Sequence, residues 1–530
     1  MPRILGWFNR EFCSLEHLIS YTMIITRRNF LKTGGAAVAG SMLLPPLLQS
    51  CDRIPVSPDV KGFLDHFTVT PEMLQKVIAE AMSMGGDYAD LFFEHRISNT
   101  LALEDGLVNR AYSNVDYGMG VRVLKGDQTG FAYTENISLE DMLDVAKTAA
   151  SIAGNPSTFK QAELYEKAPA SYYKISRKWE DASVEEKVPY VQKINDRVFE
   201  LDEKVTKVRA SLSDETAYML FYSSEGRLTH DYRPLASFSV RCVMEQNGQI
   251  ENGSSSRSYR KGFEWLGDDL VDEIAREAID NTNILFDATK PRAGEMPVVL
   301  GAGGSGILLH EAMGHAFEAD FNRKKESIFS DKMGKSIAAD FINILEDGTI
   351  ENNRGAINID DEGNDVKKVY LVKDGKLESY IHDRISAGFY GVEPTGNGRR
   401  QSFRHVAIPR MRCTYMENGP HSKEDIIAQV DYGVYVDNFS NGQVNIGAGD
   451  FTFFVKSGKL IEQGKLTRTI KDINIIGNGP QALADITMAA GDFKMDNGTW
   501  TCGKGGQSVP VTMGLPTVLV KKLTVGGTSA

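Results

Sequence analysis

At 530 residues the chain is longer than one ordinary hydrophobic core fills, so two or more domains are expected. Its composition, 42% hydrophobic and 25% charged, is that of a soluble globular protein and excludes a disordered or fibrous one. A net charge of -12 without a basic stripe excludes a nucleic-acid partner, and five cysteines, an odd number without framework spacing, exclude a disulfide scaffold.

Residues 1–55 read as an export leader. TRRNFLK, residues 26–32, sets a twin arginine before a short apolar run of small residues, the pattern of twin-arginine export. That run, interrupted by Gly and by Pro45-Pro46, is too short to span a membrane stably. Met23 lies just before the signal, so residues 1–22 are consistent with an over-extended start. Leu48-Gln49-Ser50-Cys51 loosely matches a lipoprotein cleavage box, which would make Cys51 a lipidated N-terminus. The expected location is the periplasm, free or as a lipoprotein, with membrane contact only through the leader or that anchor.

Further along, Thr70-Pro71 opens a helix to about Met84, with Leu74, Val77, Ile78 and Ala81 on one face. Residues 88–136 alternate apolar and polar in short runs and predict an antiparallel meander. Helices follow at Ser138–Ala153 and Val184–Phe199, the second opened by a capping box of Ser183 with Glu186. VTKVRASL, AYMLFYSS and LASFSVRCVMEQ read as separate strands, and a helix runs from Asp268 to about Leu285. The loop 288–296 is the best boundary signal. Beyond it the chain is strand-rich with Gly-containing turns, and its clearest helices are one at GILLHEAMGHAFEAD and one over Ser422–Val430. The fold class expected is α+β: an N-terminal α+β domain with an antiparallel sheet, residues 56–290, and a mostly-β C-terminal domain with an embedded metal-binding helix, residues 291–530.

His310-Glu311-Ala312-Met313-Gly314-His315 is one residue longer than the zinc-protease signature H-E-x-x-H. In a regular helix, residues i and i+5 stand about 140° apart, so His315 would point away from a metal held by His310. An i→i+5 bulge at Ala312–Gly314 would bring the rings back together, and Gly314 offers backbone freedom for it. A third ligand has candidates in Glu318, Asp320 and the distant Cys502, which sits on a Gly-rich turn. Upstream, Gly301-x-Gly303-x-x-Gly306 follows a strand and precedes a helix, as a dinucleotide site would. No second strand ending in an acidic residue follows, so the turn is read instead as a close approach to another segment.

These stretches resemble the TldD/PmbA family of metallopeptidases. The likeness rests on GILLHEAMGHAFEADFNR, IDDEG, PTGNGRR, PRM, GQVNIGAGDF, INIIGNG and CGKGGQSVPVTMGLPTVLV, and more weakly on YADLFFE and GMGVRVL. Because the histidine motif is present, the chain is similar to the catalytic TldD type. The resemblance implies one zinc per chain held by His310, His315 and Cys502, with Glu311 as general base, acting on short or unfolded peptides. It also implies a homodimer or a heterodimer with a PmbA/TldE-like subunit. Arg399 and Arg400 are candidates for substrate carboxylates, a solvated turn being the alternative. Cys413 stands where relatives carry Asn, which bears on substrate contacts and on competition for the metal. A non-catalytic partner or regulatory subunit is the alternative function, which the complete His-Glu-His-Cys set disfavours.

Overall fold

The computed structural model describes residues 56–527, with 446 and 497 excepted. The leader and the proposed lipid attachment at Cys51 therefore lie outside the described residues. No helix among the described residues is long and apolar enough to cross a membrane.

Helices α1 (Pro58–His66) and α2 (Pro71–Ala81) open the described chain. Thr70 caps α2 by accepting from Met73 N, and the buried set Pro71, Leu74, Val77, Ile78 and Ala81 is the predicted apolar face. The meander follows as β1 (Tyr88–Glu104), β2 (Leu107–Lys125) and β3 (Gln128–Thr134), then α3 (Leu139–Ala150), capped by Ser138. A short β4 (Tyr165–Glu166) precedes α4 (Val184–Leu201), which carries the capping box of Ser183 and Glu186. Next come β5 (Val205–Ser223), β6 (Arg227–Gln246), β7 (Gln249–Tyr259) and α5 (Asp268–Asn283). They build a seven-stranded sheet in the order β3-β2-β1-β5-β6-β4, with β7 also paired to β6.

One strand here replaces two predicted ones. The polar stretch Ser213-Asp214-Glu215 reads as a break, yet β5 runs through it. Asp214 is buried there because Lys187 of α4 donates to it at 2.9 Å, so the charge that would end the strand is neutralised from above.

Alternation assigns the two faces of this sheet. Ala89, Leu91 and Phe93 of β1, with Leu220 and Tyr222 of β5, pack under α1–α3. Toward the other end Val208, Ala210 and Leu212 pack under α4 and α5. Phe92 and Phe221 point to the opposite face, against Ile359 and Phe403 of the C-terminal half. Asp90 and Arg122 lie on that face as well, joined to the loop 359–363.

The C-terminal half holds two six-stranded sheets. One runs in the order Lys465–Asn478, Asp450–Glu462, Tyr432–Val444, Gly294–Leu300, Val518–Val525, Ile486–Ala489; the other includes Ile344–Asp347, Cys413–Met416 and Thr512–Leu515. The helix carrying the histidine motif lies in their shared core, with Ile307, Leu308, Leu309, Ala312, Met313, Ala316 and Phe317 all buried. The chain is thus α+β, with a largely antiparallel sheet in the first half and, in the second, mostly strands around the embedded motif helix with a few short helices besides.

Candidate metal centre

The motif helix starts where a strand stops. Gly303 takes φ +97° after the strand Gly294–Leu300, and the chain turns helical at Gly304. A Cβ on Gly306 would meet Gly514 N at 2.8 Å, so this Gly-rich turn serves close packing against the strand Thr512–Leu515. Regular α-helix lasts over Ile307–Leu309, then His310–Gly314 forms a π-helical turn, and His315–Phe317 tightens to 3-10 geometry. The wide turn that the i,i+5 spacing demands is therefore present. Gly314 does not supply it through unusual dihedrals, because its φ and ψ are ordinary helical values of -56° and -50°. Its role is steric: a Cβ there would sit 2.1 Å from Met411 Sδ.

With the turn widened, the rings of His310 and His315 stand 5.0 Å apart at 79°. Cys502 reaches them from the hairpin formed by Thr501–Lys504 and Gln507–Pro510. One donor atom each of His310, His315 and Cys502 lies within 4.8 Å of the others, and Cys502 Sγ is 3.4 Å from His315 Nε2. Burial alone would raise the Cys502 thiol, but the two histidines, by charge and hydrogen bonding, hold it well below its ordinary value. The thiolate is the form a metal binds. His310 Nδ1 is buried without a hydrogen-bond partner among the described residues. Two imidazoles and a thiolate form a donor set suited to zinc, and three protein ligands leave a position open.

Glu318 and Asp320, the nearer candidates for third ligand, are turned elsewhere. His315 Nδ1 donates to Glu318 Oε2 at 3.0 Å, which leaves Nε2 toward Cys502. Lys504, on the same hairpin as Cys502, approaches Glu318 Oε2 at 3.1 Å and donates to Asp320 Oδ1 at 2.7 Å. Burial pushes the Glu318 carboxyl up, but Lys504 and His315 together hold it at about 2. Burial likewise lowers His315, and Glu318 and Cys502 more than reverse it. One hairpin thus brings both the thiolate and the cation that fixes the carboxylate behind His315.

Glu311 adjoins the first histidine. Burial raises its carboxyl, although His310 and His315 pull it partly back, so it is more basic than a solvated glutamate. Arg399 and Arg400 are not on a solvated turn; both are buried. Arg399 donates to Met411 O and to Pro510 O, at 2.5 and 2.9 Å. Burial lowers Arg399 to about 9, despite Asp361. Arg400 lies over Phe92 and donates to Asp361 O. Cys413 is not in the donor group; it donates to Asn353 Oδ1 at 3.1 Å, and burial pushes its thiol well up. Arg410, not singled out by the sequence reading, donates to Cys502 O at 2.5 Å and to Gln507 O at 3.2 Å. Its place in PRM, among the stretches carrying the resemblance, was the available signal.

A helix that converges two histidines on a distant thiolate, with a glutamate between them in sequence, is the arrangement of a metallopeptidase-type protein. Comparison with known proteins gives the same class. Models of PmbA/TldA metallopeptidase domain 1, central domain and C-terminal domain match residues 89–153, 177–286 and 293–527. The chain is 40% identical to the Metalloprotease TldD homolog of Haemophilus influenzae, over 84% of this chain and 93% of that protein. To the Zinc metalloprotease TldD homolog of Saccharolobus solfataricus it is 30% identical, over 85% and 99%. The fold is similar to that of TldE from Thermococcus kodakarensis, with a TM-score of 0.66 at 20% identity over 86% of this chain and 100% of that one. The chain belongs to the PmbA/TldD metallopeptidase family.

Proposed function

We propose that this chain is a peptidase of short or unfolded peptides, with one zinc held by His310, His315 and Cys502 and with Glu311 as general base. The observation that carries this reading is the convergence of those three donors across a π-helical turn. When bound, zinc would supply Lewis acidity, polarising a scissile carbonyl and acidifying the attacking water. Glu311 takes the proton from that water and returns it to the leaving amine, work for which its raised carboxyl is suited. Glu318 orients His315, and Lys504 keeps Glu318 ionised and in place. The Cys502 thiolate makes the centre less electrophilic than three neutral ligands would.

Relatives named metalloprotease and zinc metalloprotease support the chemistry. We further propose a dimer, either of this chain or with a PmbA/TldE-like subunit, in keeping with its similarity to a TldE fold. Export by the twin-arginine route, to a periplasmic or Cys51-lipidated form, completes the proposal.

Metal analysis tests it. The purified protein is expected to carry near-stoichiometric zinc and to cleave an unstructured peptide. His310→Ala and Cys502→Ser should each weaken zinc binding by more than about 100-fold, beyond what loss of a supporting residue costs. Zinc retained at full occupancy without either histidine would refute the assignment. Lys504→Met should weaken zinc by about 10–100-fold, through a freed Glu318 and a misaligned His315, with the same helix content by circular dichroism. An unchanged affinity would show that Lys504 does not act on the centre.

A further inference from the structure

Between the two halves runs a polar trough. A cavity of about 810 Å³ lies along β7, the loop 302–304 and residues 494–496 and 498–500. A second, of about 510 Å³, shares Arg241, Ser254–Ser256 and Thr499 with it, so the two are continuous. The wall contributed by β7 is the edge of its sheet, paired on one side to β6, and its residues Ser254–Ser256 are small enough for a chain to lie close.

Charge along the trough is unbalanced. Arg257 is matched by Glu273 and Glu277, each at 2.7 Å, Arg209 by Glu104 at 2.9 Å, and Lys456 faces Asp472 at 3.4 Å. Asp496 also lines the trough, and the exposed side chains of Arg110, Arg241 and Lys494 have no hydrogen-bond or ion-pair partner among the described residues. In a chain of net charge -12, three unmatched cations along one concave surface mark a place for an anion. The trough lies close along the chain to the candidate metal centre, whose own donors do not line it. Trp500 lines it and stands two residues before Cys502, roughly 7 Å of extended chain. Gly303 and Gly304 line it too and lead into the helix of His310.

We propose that this trough binds a carboxylate of the peptide substrate, a few residues from the scissile bond, through Arg241, Lys494 and Arg110. The proposal rests on the peptidase reading above and adds a preference for acidic peptides or for a free chain end.

The test reads binding without hydrolysis, in full-length protein carrying Glu311→Gln so that peptides stay intact. Fluorescein-labelled octapeptides of three kinds are titrated: two glutamates with an amidated C-terminus, glutamines with a free C-terminus, and glutamines with an amidated one. At least one charged peptide should bind about tenfold more tightly than the neutral one, as expected for a pair of exposed ion contacts. That advantage should vanish in Arg241→Glu/Lys494→Glu and at high salt. Preference for the glutamate peptide identifies side-chain carboxylates as the ligand; preference for the free end identifies the terminus. Should the double reversal unfold the chain, Arg241→Gln and Lys494→Gln give the same comparison with a milder change. Equal affinity for all three peptides, or an advantage that survives the substitutions, overturns the proposal. Absence of zinc or of cleavage in the unmodified protein would instead refute the peptidase reading and leave these affinities to stand or fall separately.

Discussion

Glu311→Gln is expected to retain zinc and to lose about 10²–10⁴-fold in peptide cleavage, the usual contribution of a positioned general base. This corresponds to roughly 3–5.5 kcal/mol of transition-state stabilisation. Glutamine has nearly the same shape, so the π-helical turn at His310–Gly314 and the donors of His310, His315 and Cys502 should stay as they are. What disappears is the carboxylate that accepts a proton beside the first ligand. Burial raises that carboxyl, so peptide cleavage by the parent protein is expected to fall on the acid side as Glu311 takes up a proton, at a pH above that of a solvated glutamate. Zinc content and single-turnover cleavage, measured on the same preparation, separate the two effects. Cleavage within a few-fold of the parent would remove Glu311 from the mechanism. Loss of zinc together with activity would make it a structural residue of the centre.

The centre was half legible in the sequence. A spacing of five between His310 and His315 is incompatible with one metal on a regular helix, so periodicity alone required a wide turn, and the structure contains one. The third donor was not legible in this way. Cys502 lies nearly two hundred residues away; its Gly-rich turn made it stand out among distant candidates, but only the likeness to a family set it above Glu318 and Asp320. What turns the two nearer carboxylates aside is Lys504, whose partners are set by the tertiary fold.

The same division holds for the fold. Caps and apolar faces located α2 and α4 to within a few residues, because these are local and carry their own signals. The continuity of β5 through Asp214 was hidden because the neutralising Lys187 belongs to a helix earlier in the chain. Arg399 and Arg400 look like a surface pair by composition. They are internal because Asp361, Met411 and Pro510 supply acceptors that no reading of PTGNGRR could foresee.

Arg122→Leu is expected to destabilise the chain by about 3–5 kcal/mol, the cost of leaving buried charges without their partner. Arg122 Nε and Nη2 donate to Asp90 Oδ2 at 2.8 and 2.5 Å, and Nη1 donates to Glu362 Oε1 at 2.6 Å, with all three side chains fully buried. The loop that Arg122 holds is IDDEG, residues 359–363, which lays its acids against the N-terminal sheet. Burial raises the Glu362 carboxyl, and burial with the charge of Glu362 pushes Asp360 to about 7, so the loop already carries more acid than it can comfortably keep ionised. Without Arg122 the Glu362 carboxyl would rise further. A carboxyl whose folded pKa exceeds its unfolded value costs stability as pH rises through the folded value. The deficit should therefore be largest near pH 8 and shrink toward pH 5, where the orphaned acids take up protons. Urea midpoints of parent and variant at the two pH values measure it, and adding Asp90→Leu and Glu362→Met should recover most of the loss. A midpoint unchanged at pH 8 would show that the network contributes nothing net. The effect should extend to the metal centre. Asp361 N donates to Gly398 O, and Asp361 Oδ2 accepts from Arg400 N, so the acidic loop positions the strand from which Arg399 holds Pro510. Pro510 pairs with Thr501, next to Cys502. In Arg122→Leu, weakening of zinc binding ahead of global unfolding would show that this buried network, and not the hairpin alone, keeps the thiolate in reach of the two histidines.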